Sequence, residues 1–77
     1  MMAKLDLYKK FESKLTPSQM NLIHDYMIKA RDYYFNNEVE QASTQLCFAV
    51  AALKHNNEFH AAEVVLSGYY YLTYWED

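Results

Sequence analysis

Leu46-Cys47-Phe48-Ala49-Val50-Ala51-Ala52-Leu53 is an unbroken run of eight apolar residues, and its reading decides the fold. With no polar residue to turn toward water, such a run belongs at the centre of a core. Its length alone does not separate strand from helix. Its composition does, because three alanines and two leucines favour helix. The polar lead-in Glu38-Val39-Glu40-Gln41-Ala42-Ser43-Thr44-Gln45 continues the same register. The run therefore predicts the buried middle helix, residues 38–55, of an all-α domain.

Working outward from it, Thr16-Pro17-Ser18-Gln19 is a helix start: an N-cap threonine, a proline at the first helical position, and a glutamine that completes a capping box. The helix that follows, 17–35, repeats Met20, Ile23, Met27, Ala30 and Tyr34 at steps of three or four, with Leu22, Tyr26, Tyr33 and Phe35 widening the apolar face. It stops at Asn36-Asn37, since asparagine tolerates the left-handed backbone just past a helix end. The middle helix stops the same way, at Asn56-Asn57. Asn36-Asn37-Glu38-Val39 and Asn56-Asn57-Glu58-Phe59 mark a period of twenty, which Ala42/Ala62 and Leu46/Leu66 continue. Such a period fits a helix of about 26 Å plus a tight turn, so successive helices must be antiparallel neighbours. Each Glu after the Asn pair is expected in a first helical turn, where the dipole favours an acid. A last helix over 58–75 carries two apolar stripes, Phe59-Ala62-Leu66-Tyr69 and Ala61-Val65-Gly68-Leu72-Trp75. Gly68 there implies a close crossing. A short amphipathic helix over 3–15, with Leu7, Tyr8, Phe11 and Leu15 on one side, docks on the rest. The expectation is an up-down bundle of three long helices plus this short one, in a single domain over residues 1–77.

Composition narrows function mainly by exclusion. A net charge of −3 disfavours a nucleic-acid phosphate binder. The charge divides unevenly: residues 1–15 hold four lysines against Asp6 and Glu12, and residues 16–77 hold Lys29, Arg31 and Lys54 against eight acids. A basic first helix on an acidic body follows. One glycine and one proline leave little for hairpin turns, and the lone Cys47 excludes an internal disulfide. Within the apolar run Cys47 is expected to be an inert core thiol. No stretch reaches the length of a membrane span, and Met1-Met2-Ala3-Lys4-Leu5-Asp6 leads into charge and not into an apolar segment. No membrane association and a cytoplasmic location are expected.

Tyr26, Ala30, Tyr33, Ala42 and Leu46 reproduce the large–small–aromatic–small–large spacing of a tetratricopeptide repeat, which residues 26–54 resemble. That family forms helical hairpins that bind protein segments. The stretch departs from it at Lys29, Ala30 and Lys54, where the family prefers leucine, glycine and proline, and the resemblance brings no binding residues with it.

Chemistry-bearing constellations are sparse. His55, Glu58, His60 and Glu63 cluster around one turn but lack the Glu-x-x-His pattern of a di-iron bundle, so no metal or other cofactor is expected. No phosphate loop, nucleophile elbow or base paired with Cys47 is visible, which argues against an enzyme. The surplus aromatic surface of the last helix is the best clue. Tyr70, Tyr71, Tyr74 and Trp75 there are the candidate protein-interface residues, because Tyr and Trp enrich interface cores. The expected function is a non-enzymatic protein-interaction module, an inhibitor or adaptor resembling in size and character the small antagonists that phages encode. A homodimer through the last or the middle helix is one form of this. The alternative is a nucleic-acid or nucleotide binder stacking bases on the tyrosines, against which Glu63, Glu76 and Asp77 weigh.

Overall fold

Thr16 opens a helix in the way its neighbours predict. Its backbone N–H donates to Gln19 Oε1 at 2.9 Å. Its hydroxyl accepts from the Gln19 N–H at 3.2 Å, so both halves of the capping box are made. In the computed structural model, which describes residues 6–72, four helices follow one another. They are α1 (Leu7–Glu12), α2 (Pro17–Phe35), α3 (Val39–His55) and α4 (Phe59–Tyr70). They pack against one another as an all-α bundle, with no strand among the described residues. α2 and α3 keep the expected lengths to within a residue.

The two Asn-Asn stops are the same piece of backbone used twice. Asn37 and Asn57 both have φ of 62°, the left-handed conformation. Glu38 N–H donates to the Tyr33 carbonyl and Glu58 N–H to the Leu53 carbonyl, each at 2.8 Å. Asn37 N–H reaches the Tyr34 carbonyl and Asn57 N–H the Lys54 carbonyl, at 3.1 and 3.0 Å. This pairing satisfies the last carbonyls of a helix and turns the chain back in three residues. Glu38 and Glu58 stand one position earlier than expected: each is the N-cap of the next helix, its carbonyl accepting the first bond, with no side-chain capping bond.

The first helix is shorter than residues 3–15. Asp6 caps it, accepting from the Lys9 N–H at 3.2 Å, and it ends at Glu12, where a turn brings Leu15 back inward. Of the expected span, residues 3–5 lie outside the described residues, as do residues 73–75 of the last helix. Leu7 and Phe11 of α1 are fully buried, so the amphipathic helix docks on its own bundle. The Phe11 ring points its Cζ edge at Gly68 of α4. A methyl added at Gly68 would collide with the Cζ tip of the ring, with Cε1 and Cε2 3.0 Å away. The lone glycine thus makes room for a side chain of α1, where a close crossing of helices was expected.

The core is built from one face of each helix: Leu7 and Phe11, then Met20, Ile23 and Met27, then Leu46, Ala49 and Leu53, then Ala61, Ala62 and Val65. Tyr34 of α2 joins them, and no charged residue is buried in this interior among the described residues. The apolar run departs from expectation. Leu46, Ala49, Val50 and Leu53 are buried, whereas Cys47, Phe48 and Ala51 are exposed. A helix flanked on two sides by antiparallel neighbours still keeps an outer face, and four helices provide no further layer to cover it. Cys47 is accordingly a surface thiol and not a core one. Likewise Leu22, Phe35 and Phe59, expected on buried faces, stand 39%, 44% and 59% exposed.

Candidate functional site

Phe48 lies about 200° around the helix from Leu46, at about 100° per residue. Burying Leu46 therefore turns Phe48 outward, to 49% exposure. Its ring meets Tyr26 of α2, centroids 5.9 Å apart, which fixes how the outer sides of the two helices align. Along α2 this side carries Leu22, Tyr26, Lys29 and Tyr33. Along α3 it carries Gln41, Gln45, Phe48, Ala52 and His55. Both strips step by three and four residues, as one helical face must. Leu22 and Phe48 are exposed, and Tyr26, Tyr33 and Ala52 half-buried. Lys29 is the single Lys, Arg, Asp or Glu among these nine positions, although ten acids and seven Lys or Arg are spread along the chain. The outer seam of the α2–α3 hairpin is thus an aromatic surface bordered by uncharged glutamines. Reading the run as wholly buried hides this seam, although the helical offset between Leu46 and Phe48 already points to it.

The aromatic candidates of α4 do not form one patch among their described members. Tyr70 is 46% exposed, and its ring meets Tyr69 at 5.6 Å between centroids in an edge-on arrangement. Tyr71, the next residue, points about 100° away. It receives the Lys10 ammonium over its ring at 4.9 Å. Tyr70 continues a line from Phe59 through Leu66 on the outside of α4, whereas Tyr71 faces α1. Tyr74 and Trp75 lie outside the described residues.

Other chemistry is thin. Among the described residues no three His, Cys, Asp or Glu side chains converge to hold a metal ion. His24 Nδ1 lies 2.8 Å from the Tyr8 hydroxyl, with the rings edge-on, a contact that fastens α1 to α2. Gln19 has a second role beyond the capping box: its Nε2 donates to Glu58 Oε2 at 2.7 Å, tying the start of α2 to the turn before α4. Shallow grooves run between the helices, and two of them border α4. One, about 370 Å³, lies between α3 and α4 beside Cys47 and Tyr69. The other, about 350 Å³, lies between α1 and α4 beside Lys10, Lys14 and Tyr71. No helix among the described residues is long and apolar enough to cross a membrane. No protein-family model matches the chain, and neither the curated proteins nor the solved structures contain a match to it. The tetratricopeptide-like spacing of residues 26–54 is a likeness in spacing and hairpin shape.

Proposed function

We propose that the protein is a small non-enzymatic interaction module that binds a helix of another protein along the outer seam of α2 and α3. The observation that carries this is the Leu22–Tyr26–Phe48 strip, with Leu22 and Phe48 exposed, Tyr26 half-buried between the helices, and almost no charge along it. Interface cores differ from ordinary surface by that same depletion of charge and enrichment of aromatic residues. Two antiparallel helices leave between them a shallow trough whose residues recur every three or four positions, the spacing at which an amphipathic helix presents its anchors. The glutamines beside Phe48 supply donors and acceptors for a polar rim without the desolvation cost of ions. Size and acidity suit an inhibitor or adaptor that docks by one face.

The test is position-specific photo-crosslinking in the native host. A photoreactive residue replacing Phe48 is expected to give one discrete adduct, lost when Tyr26→Glu is added, whereas the same residue at Glu63 on the outer side of α4 gives none of it. Equal adducts from both positions, or none from Phe48, would count against the reading. An adduct of twice the chain mass would identify the partner as a second copy.

A further inference from the structure

The groove between α1 and α4 differs in chemistry from the α2–α3 seam. Its α1 side carries Lys10 and, just past the helix end, Lys14; its α4 side carries Val64, Ser67 and Tyr71 at similar spacing. Phe11 and Gly68, in contact with each other, close the floor. No Asp or Glu among the described residues lines it, although acids outnumber Lys and Arg ten to seven in the chain. Lys10 is held over the Tyr71 ring at 4.9 Å, so one ammonium is already positioned at the groove. The volume of this groove falls at the small end of the range for small-molecule sites.

We propose that this groove binds a small amphipathic carboxylate. Its apolar chain or ring lies on Val64 and the Tyr71 ring, and its carboxylate accepts from the Lys10 and Lys14 ammonium groups and the Ser67 hydroxyl. Charge-assisted bonds of this kind are shorter and stronger than bonds between neutral groups. A single negative charge suits the site better than a dianion, because α1 ends beside it and a helix C-terminus carries partial negative charge. This site stands apart from the α2–α3 seam and does not depend on the function proposed for it.

The experiment is a titration of ¹⁵N-labelled protein with sodium octanoate below its micelle concentration, read by amide chemical shifts, with octanol and inorganic phosphate titrated in parallel. Saturable shifts at Lys10, Lys14, Val64, Ser67 and Tyr71 with octanoate are expected, and far weaker ones with octanol or phosphate. Replacing both ammonium groups, Lys10→Gln with Lys14→Gln, should weaken octanoate binding at least about tenfold, the effect of losing one charge-assisted contact. Lys10→Arg with Lys14→Arg should keep it within a few-fold, and Val64→Glu should abolish it by setting an acid in the groove. Absence of saturation, equal binding of octanol, phosphate binding as tight as octanoate, or shifts centred on Tyr26 and Phe48 would each overturn the proposal.

Discussion

The turns after α2 and after α3 have one backbone and two fates. Both place an asparagine at φ 62° and close with 2.8 Å bonds from a glutamate N–H. The second turn is taken up by the bundle. Because α2 and α3 are antiparallel and nearly equal in length, residue 58 returns to the start of α2, where Gln19 holds its carboxylate. The first turn joins the two helices whose outer seam carries Phe48 exposed against a half-buried Tyr26. A helix-stop motif therefore sets direction and spacing, but what lies on the resulting hairpin depends on which helices come next. α4 and α1 cover the inner side of α2 and α3 and leave the outer side to solvent.

The contrast between the two sides of α3 can be broken most sharply at Leu46 and Phe48. Leu46→Ala removes a fully buried side chain. It is expected to cost about 2–5 kcal/mol by urea denaturation. Phe48→Ser, two residues away on the outer face, should change stability by less than about 1 kcal/mol. Similar losses at both positions would mean that the outer seam is part of the core. Next in size is the α1–α4 contact. Gly68→Ala would gain about 1 kcal/mol if only helix propensity counted. Against the Phe11 ring it should instead lose about 1–3 kcal/mol, so the sign of the change in melting temperature reports whether α1 is docked.

The likeness of the two turns predicts equal penalties. Asn37→Ala and Asn57→Ala should each cost about 1–2 kcal/mol, because alanine has no local hydrogen bond to offset the left-handed backbone. Glycine at either site should be neutral or slightly stabilising. A difference between the two alanine variants beyond a few tenths would show that one turn is held by tertiary contacts. The smallest effect concerns the two glutamates. Glu58→Ala removes the acceptor for Gln19 Nε2. Its cost should be about 1 kcal/mol, the net worth of one such hydrogen bond. Glu38→Ala, at a cap with no side-chain bond, should be close to neutral. Equal effects would place the role of both residues in the helix dipole alone.

Much of this architecture was legible in order along the chain. The Thr16–Gln19 box, the paired asparagines and the period of twenty are local signals, each made by residues that interact within a turn or two. They determined helix number, the limits of α2 and α3, and antiparallel order. Gly68 also announced a close approach, because a glycine inside an apolar helix needs a reason, although what approaches is the Phe11 side chain and not a helix backbone. Surface and core were less readable. The run at residues 46–53 is apolar on every side, so hydrophobicity could not say that Leu46 would face inward and Phe48 outward. Tyr70 and Tyr71 were both candidates because the last helix carries a surplus of aromatic surface, yet neighbouring residues on a helix point about 100° apart, and Tyr71 faces α1 while Tyr70 faces out.

The sequence by itself determined where helices begin, end and reverse, since those choices rest on backbone hydrogen bonds between residues a few positions apart. Only the tertiary structure decided which apolar side chains are core, which partner Gln19 and Glu58 find, and which residue needs Gly68 to be bare. Those outcomes depend on which helix faces are covered by elements distant in the chain, and a helix apolar all round offers each neighbour an acceptable face.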